Sequence, residues 1–108
     1  MPSARDVYDT KDSVQILDVR EPYEWEAGHV EGSVHLPLAQ VMGGGEQDRV
    51  SRDRPVLVIC RSGNRSELAA LMLQARGVDA TNVEGGLEEW EREGLPLVDS
   101  NGNPGRVA

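Results

Sequence analysis

With 108 residues the chain has room for one domain around one modest core. Nineteen acidic residues against 11 basic ones give a formal charge of −8, so no basic face can dominate, which excludes nucleic acid and anionic membrane as partners. One cysteine excludes an intrachain disulfide and favours a reducing compartment, the lack of a Cys/His cluster argues against zinc, and no apolar run approaches the roughly 20 residues of a membrane span. The N-terminus has no apolar signal-peptide core. The expectation is a soluble, cytoplasmic protein without metal or cofactor.

In chain order, residues 1–13 are polar, with Ser3 placed to cap a short helix through Val7 and Tyr8. Val14-Gln15-Ile16-Leu17-Asp18-Val19 reads as a strand, with Asp18 and Arg20 where it ends. A short helix follows from Glu21 to Glu26, with Pro22 in its first turn and Gly28 as its stop. Trp25 is expected in the core, because a large aromatic in a small chain is usually buried. Val34-His35-Leu36 is a short strand ended by Pro37. Residues 39–54 hold a helical turn and then Gly43-Gly44-Gly45. No Gly-Lys-Ser/Thr follows these glycines, so they read as a flexible surface connection and not as a phosphate loop.

Val56-Leu57-Val58-Ile59 is a β-branched apolar run of buried-strand type, and it ends at Cys60. The polar turn Arg61-Ser62-Gly63-Asn64-Arg65-Ser66 leads into a helix. There Leu68, Leu71, Met72 and Ala75 at i, i+3, i+4, i+7 suggest the inward face, and Gly77 is placed to end it. Ala80–Val83 reads as a last strand. Gly85-Gly86 opens a turn, and Leu87–Glu93 forms a helix with Trp90 packed on the sheet. Residues 99–108 are expected to be a flexible tail on a single domain of residues 1–98. Short strands alternating with helices indicate an α/β domain, its mainly parallel sheet covered on both faces. Sites in such sheets lie beyond the C-terminal strand ends, where Cys60, Asp18 and Gly85 all fall.

Taken alone, a cysteine closing an apolar strand is a small buried hydrophobe. The loop after it reverses that reading. A turn into a helix offers unpaired N–H groups and a positive dipole end, which stabilise a thiolate, the reactive form of the thiol. Gly63 allows the tight turn, and Arg61 and Arg65 add two cations. The residues suit an activated thiolate or persulfide and an anionic substrate. The reading would fail if the Cys60 side chain were sealed inside the protein with the amides after it facing elsewhere.

Five segments in this order resemble the rhodanese-like family in its single-domain form: Asp18-Val19-Arg20-Glu21, Gly28-His29-Val30-Glu31-Gly32-Ser33, His35-Leu36-Pro37, Cys60-x-x-Gly63-x-Arg65-Ser66, and Gly85-Gly86-x-x-x-Trp90. They span roughly residues 14–98. The resemblance implies a three-layer α/β fold and a loop cysteine that carries sulfane sulfur. The portion before Asp18 is short for the family, so the sheet has four or five strands. By this resemblance Cys60 is the catalytic nucleophile that becomes a persulfide. The amides of Arg61, Ser62, Gly63, Asn64 and Arg65 cradle sulfur or an oxyanion, and the Arg61 and Arg65 side chains attract thiosulfate. Asp18, Arg20 and Ser66 support the site, with Arg20 in an ion pair that braces the rim. His29 and His35 are structural. Ser62 stands where many thiosulfate-using members carry a basic residue.

The expected activity is a thiosulfate sulfurtransferase that moves sulfur through Cys60 to cyanide or a thiol. A persulfide carrier docking to a protein acceptor, through loops such as 39–54, is the alternative. A cysteine phosphatase or arsenate reductase is disfavoured: it needs five residues between Cys and Arg, and four separate Cys60 from Arg65.

Overall fold

The computed structural model describes residues 2–108. Its elements are helix α1 (Ala4–Thr10), strand β1 (Gln15–Asp18), helix α2 (Pro22–Ala27), strand β2 (Val34–His35), helix α3 (Leu38–Met42), strand β3 (Val56–Ile59), helix α4 (Asn64–Ala75), strand β4 (Ala80–Asn82) and helix α5 (Gly86–Arg92). The four strands form one parallel sheet in the order β2-β1-β3-β4. Of the four or five strands the sequence allowed, the sheet holds four. Helix α1 occupies the short N-terminal stretch, and Ser3 caps it by accepting from the Asp6 N–H.

Alternation along β3 builds both layers of core. Val56, Val58 and Cys60 face one side with Leu17, Val41, Ala69, Ala70 and Leu73, under α3 and α4. Leu57 and Ile59 face the other side with Val7, Leu87 and Trp90, under α1 and α5. Cys60 thus continues the strand's alternation onto the α4 side. Because every pairing is parallel, Asp18, Ile59 and Asn82 end their strands on one rim.

Two expectations are corrected, and two segments expected to be flexible make specific contacts. The inward face of α4 is Ser66, Ala69, Ala70 and Leu73, whereas Leu68 and Leu71 are 44% and 56% exposed. Both sets have helical spacing; the start of the helix at Asn64, which turns Ser66 toward the sulfur, selects the smaller set. Trp25 is only half-buried and stacks with His29 and His35 at ring-centroid distances of 3.6 and 4.8 Å. His29 and His35 each direct a ring nitrogen to a backbone oxygen, that of Trp25 and of Arg20 respectively, both at 2.8 Å. The segment after residue 98 is tied down. Arg106 N–H donates to Ala27 O at 3.0 Å, Gly105 N–H to Leu97 O at 2.9 Å, and Val107 packs on the core. The glycine-bearing connection is anchored too, since buried Glu46 pairs with Arg76 of the α4 end at 3.0 Å. Among the described residues no helix is long and apolar enough to cross a membrane.

Candidate active site

The site grows from the β3–α4 junction. Strand β3 delivers Cys60 to the rim, and Gly63, at φ +107, reverses the chain so that α4 begins beside the sulfur. Gly63 N–H points at Cys60 Sγ from 3.1 Å and Ser66 N–H from 3.4 Å. The Ser66 hydroxyl lies 3.2 Å from the same sulfur. Cys60 is 1% exposed, and of the amides from Arg61 to Arg65 expected to form the cradle, that of Gly63 is directed at its sulfur, joined by that of Ser66. Two N–H groups and the positive end of a 12-residue helix converge there, an arrangement that stabilises negative charge on sulfur without reorganising.

Neighbouring strands and turns hold this cradle. Asn82, at the end of β4, accepts from the Ser66 hydroxyl and donates through Nδ2 to Gly63 O at 3.2 Å. Leu87 and Glu88 N–H groups donate to the carbonyls of Cys60 and Arg61 at 2.8 and 2.9 Å. Gly86 makes that approach possible: a Cβ there would lie 2.5 Å from Cys60 O and 2.6 Å from Arg61 O.

Asp18 and Arg20 form a fully buried ion pair at 2.8 Å, and Arg20 reaches on to Gly28 O at 2.6 Å. This pair joins the β1 end to the α2 end and is not among the contacts to Cys60. Among the loop cations, Arg61 is exposed and pairs with Glu88 at 3.3 Å. Arg65 makes a two-pronged pair with buried Glu24 of α2, at 2.6 and 2.9 Å. Both of its forked bonds are therefore spent on protein and not turned toward a donor anion. The Arg65 bonds hold the Glu24 carboxyl below the usual carboxylate range, and the carboxylate in turn raises Arg65. Ser62 and Asn64 are exposed at the loop's outer edge.

The sequence reading missed Glu24, Asn82, Glu88 and the steric role of Gly86. Glu24 looks in the sequence like any carboxylate in a short helix turn. Its partner lies 41 positions away, which no local pattern reveals. Among the described residues no group of three or more His, Cys, Asp or Glu side chains could hold a metal ion.

The rhodanese-like domain profile matches residues 3–93. The chain belongs to the rhodanese-like family. A crystal structure of a rhodanese-related protein from Thermoplasma volcanium superposes with a TM-score of 0.82 at 35% identity, covering 91% of this chain and 98% of that one. YrkF of Bacillus subtilis, named as a candidate sulfur carrier protein, is 37% identical over 83 residues, which are 76% of this chain and 44% of that protein. MoeZ of Mycobacterium tuberculosis, named as a candidate adenylyltransferase/sulfurtransferase, is 30% identical over 93 residues, 85% of this chain and 24% of that protein. The chain thus spans less than half the length of these two relatives.

Proposed function

We propose that this rhodanese-like domain is a sulfurtransferase that carries sulfane sulfur as a persulfide on Cys60. The observation that carries the reading is the convergence of the Gly63 and Ser66 N–H groups and the Ser66 hydroxyl on Cys60 Sγ. In the first half-reaction the thiolate attacks the outer sulfur of thiosulfate or another sulfane donor. The new S–S bond forms as the donor's S–S bond breaks, and the leaving group, sulfite for thiosulfate, takes the electron pair. In the second, a thiol or cyanide attacks the outer persulfide sulfur and Cys60 leaves as thiolate. The Gly63 and Ser66 N–H groups stabilise the negative charge that Cys60 Sγ carries as the free thiolate and regains as it leaves in the second half-reaction, while the Ser66 hydroxyl donates to Asn82 and ties the helix start to β4. Asp18 and Arg20 hold the rim in place. A thiol that works reduced, in a chain with no second cysteine, suits the cytoplasm.

The acceptor is open to a second reading. The matched relatives are longer than this chain, and one of them is named for sulfur carriage. That favours a protein thiol as acceptor, reached through the rim around the loop.

Steady-state thiocyanate formation from thiosulfate and cyanide tests the chemistry. A covalent intermediate gives parallel double-reciprocal lines, and Cys60→Ser gives no turnover. Intersecting lines, or a Cys60→Ser variant as fast as the parent, would overturn it. Affinity capture on Cys60→Ser, followed by sulfur transfer to the captured protein, tests the carrier reading.

A further inference from the structure

The loop beside Cys60 carries two arginines, yet neither is left uncompensated. Arg61 and Glu88 are both well exposed, so water competes for that contact and the guanidinium leaves it at little cost. Arg65 differs. Both prongs of its guanidinium sit on Glu24, whose carboxylate is 3% exposed and has little water to compete for it. Two ion pairs, Arg20 with Asp18 and Arg65 with Glu24, each sum to zero charge.

The geometry points to Glu24 as the residue that sets which donor charge Cys60 accepts: its carboxylate cancels the charge of the loop's Arg65 and turns the site from dianionic donors toward thiol-borne persulfides, which bring at most one negative charge to the reacting sulfur. Glu24 acts through Arg65 and does not touch the sulfur, so it is a positioning and charge-compensating residue. The inference rests on reading Cys60 as the sulfur-accepting thiol.

A purely mechanical role for the pair is the competing explanation. The cradle, however, has its own ties. Gly63 and Ser66 are bound to Cys60 and Asn82, and the Cys60 and Arg61 carbonyls to the start of α5. Glu24 contributes to none of these contacts. Arg65 immediately precedes Ser66, whose N–H and hydroxyl contact the sulfur, so a change in net charge there falls next to the cradle. Exposed Ser62 adds no charge of its own. Arg20 and Arg65 are thus each paired with a buried carboxylate, and Arg61 lies exposed beside Glu88.

The test uses the full chain and its single cysteine, so alkylation reports one site. Iodoacetate and iodoacetamide attack the same thiolate, and their rate ratio cancels the ionised fraction and reads the local charge. Glu24→Gln keeps the shape and leaves Arg65 uncancelled. It is expected to raise the iodoacetate-to-iodoacetamide ratio about fivefold at low salt, with the rise shrinking in high salt. Glu24→Gln/Arg65→Gln removes both charges and is expected to return the ratio to the parent value. The Glu24→Gln variant should also gain in kcat/KM for thiosulfate relative to a glutathione-borne persulfide. An unchanged ratio in Glu24→Gln, or equal slowing with both reagents in single and double variants, would show a brace and overturn the inference. So would a Cys60 that neither reagent reaches in the native protein. The alkylation arm needs no sulfur transfer. A shifted ratio in a protein that loads no sulfur would reject the proposed chemistry while leaving the charge role standing.

Discussion

Replacing Gly86 by alanine places a Cβ 2.5 Å from Cys60 O and 2.6 Å from Arg61 O. Ordinary contact is about 3.4 Å, so the α5 start and the active loop must separate by roughly 0.9 Å. Both listeners are backbone carbonyls, so no side-chain rotation relieves the clash. The separation strains the Leu87 and Glu88 N–H bonds to those same carbonyls, now 2.8 and 2.9 Å. Alanine at φ +58 adds left-handed strain. Strain of about 1 kcal/mol, a backbone shift of 1–3 kcal/mol and two weakened bonds amount to roughly 2–5 kcal/mol. In a domain of this size that lowers Tm by at least about 10 °C. Gly94→Ala is the control, because Gly94 has φ +72 but open space around its Cβ position, so it suffers the strain alone, about 1 kcal/mol. Circular dichroism melts give the stability, and the iodoacetamide rate at Cys60 reports the cradle. If Gly86→Ala matched Gly94→Ala in Tm and kept the parent's alkylation rate, the argument that Gly86 seats the active loop would be refuted.

Ser66→Ala removes the hydroxyl at Cys60 Sγ and its link to Asn82, and should slow sulfur transfer about tenfold, with a stability loss of roughly 1 kcal/mol by urea denaturation. Asp18→Asn leaves the buried Arg20 charge uncompensated and should cost about 3–5 kcal/mol in the same assay. Leu73→Ala should cost about 2–4 kcal/mol and Leu71→Ala well under about 1; equal losses would contradict the assigned face of α4. Glu24 has a folded pKa below the ordinary 4.5, so its pair stabilises the fold fully above that value. The contribution is lost as pH falls from about 4.5 through the lower folded value, while Arg65 stays charged throughout. Urea midpoints measured from pH 7 down to pH 3 should therefore fall less steeply in Glu24→Gln than in the parent.

The α/β architecture was legible because β3 is a short apolar run with a turn and a helix behind it, and because Asp18 and Cys60 recur at strand ends. Strand, glycine turn and helix start are contiguous, so local spacing points to a cradle after Cys60; it spread the amides over Arg61–Arg65, whereas the N–H groups directed at Sγ are those of Gly63 and Ser66. The burial of α4 was not. Its sequence is apolar on two faces, and only the packing of small Ala69 and Ala70 against the sheet selects between them. Glu24 escaped because its meaning lies in a partner from another helix. Arg65 was read as a donor-binding cation for the same reason, since spacing shows a charge and not what neutralises it. Residues 99–108 looked like a tail because turn-forming residues dominate them. The edge contacts through Gly105 and Arg106 to Ala27 and Leu97 are backbone bonds that composition does not encode.

The intact mass of the protein after exposure to a sulfane donor addresses the sulfur on Cys60 directly. Incubation with thiosulfate or a glutathione-borne persulfide should add about 32 Da, one sulfur, to the parent and nothing to Cys60→Ser, and cyanide should remove it with release of thiocyanate. A parent protein that gains no sulfur from either donor, or a Cys60→Ser variant that gains as much, would contradict the account.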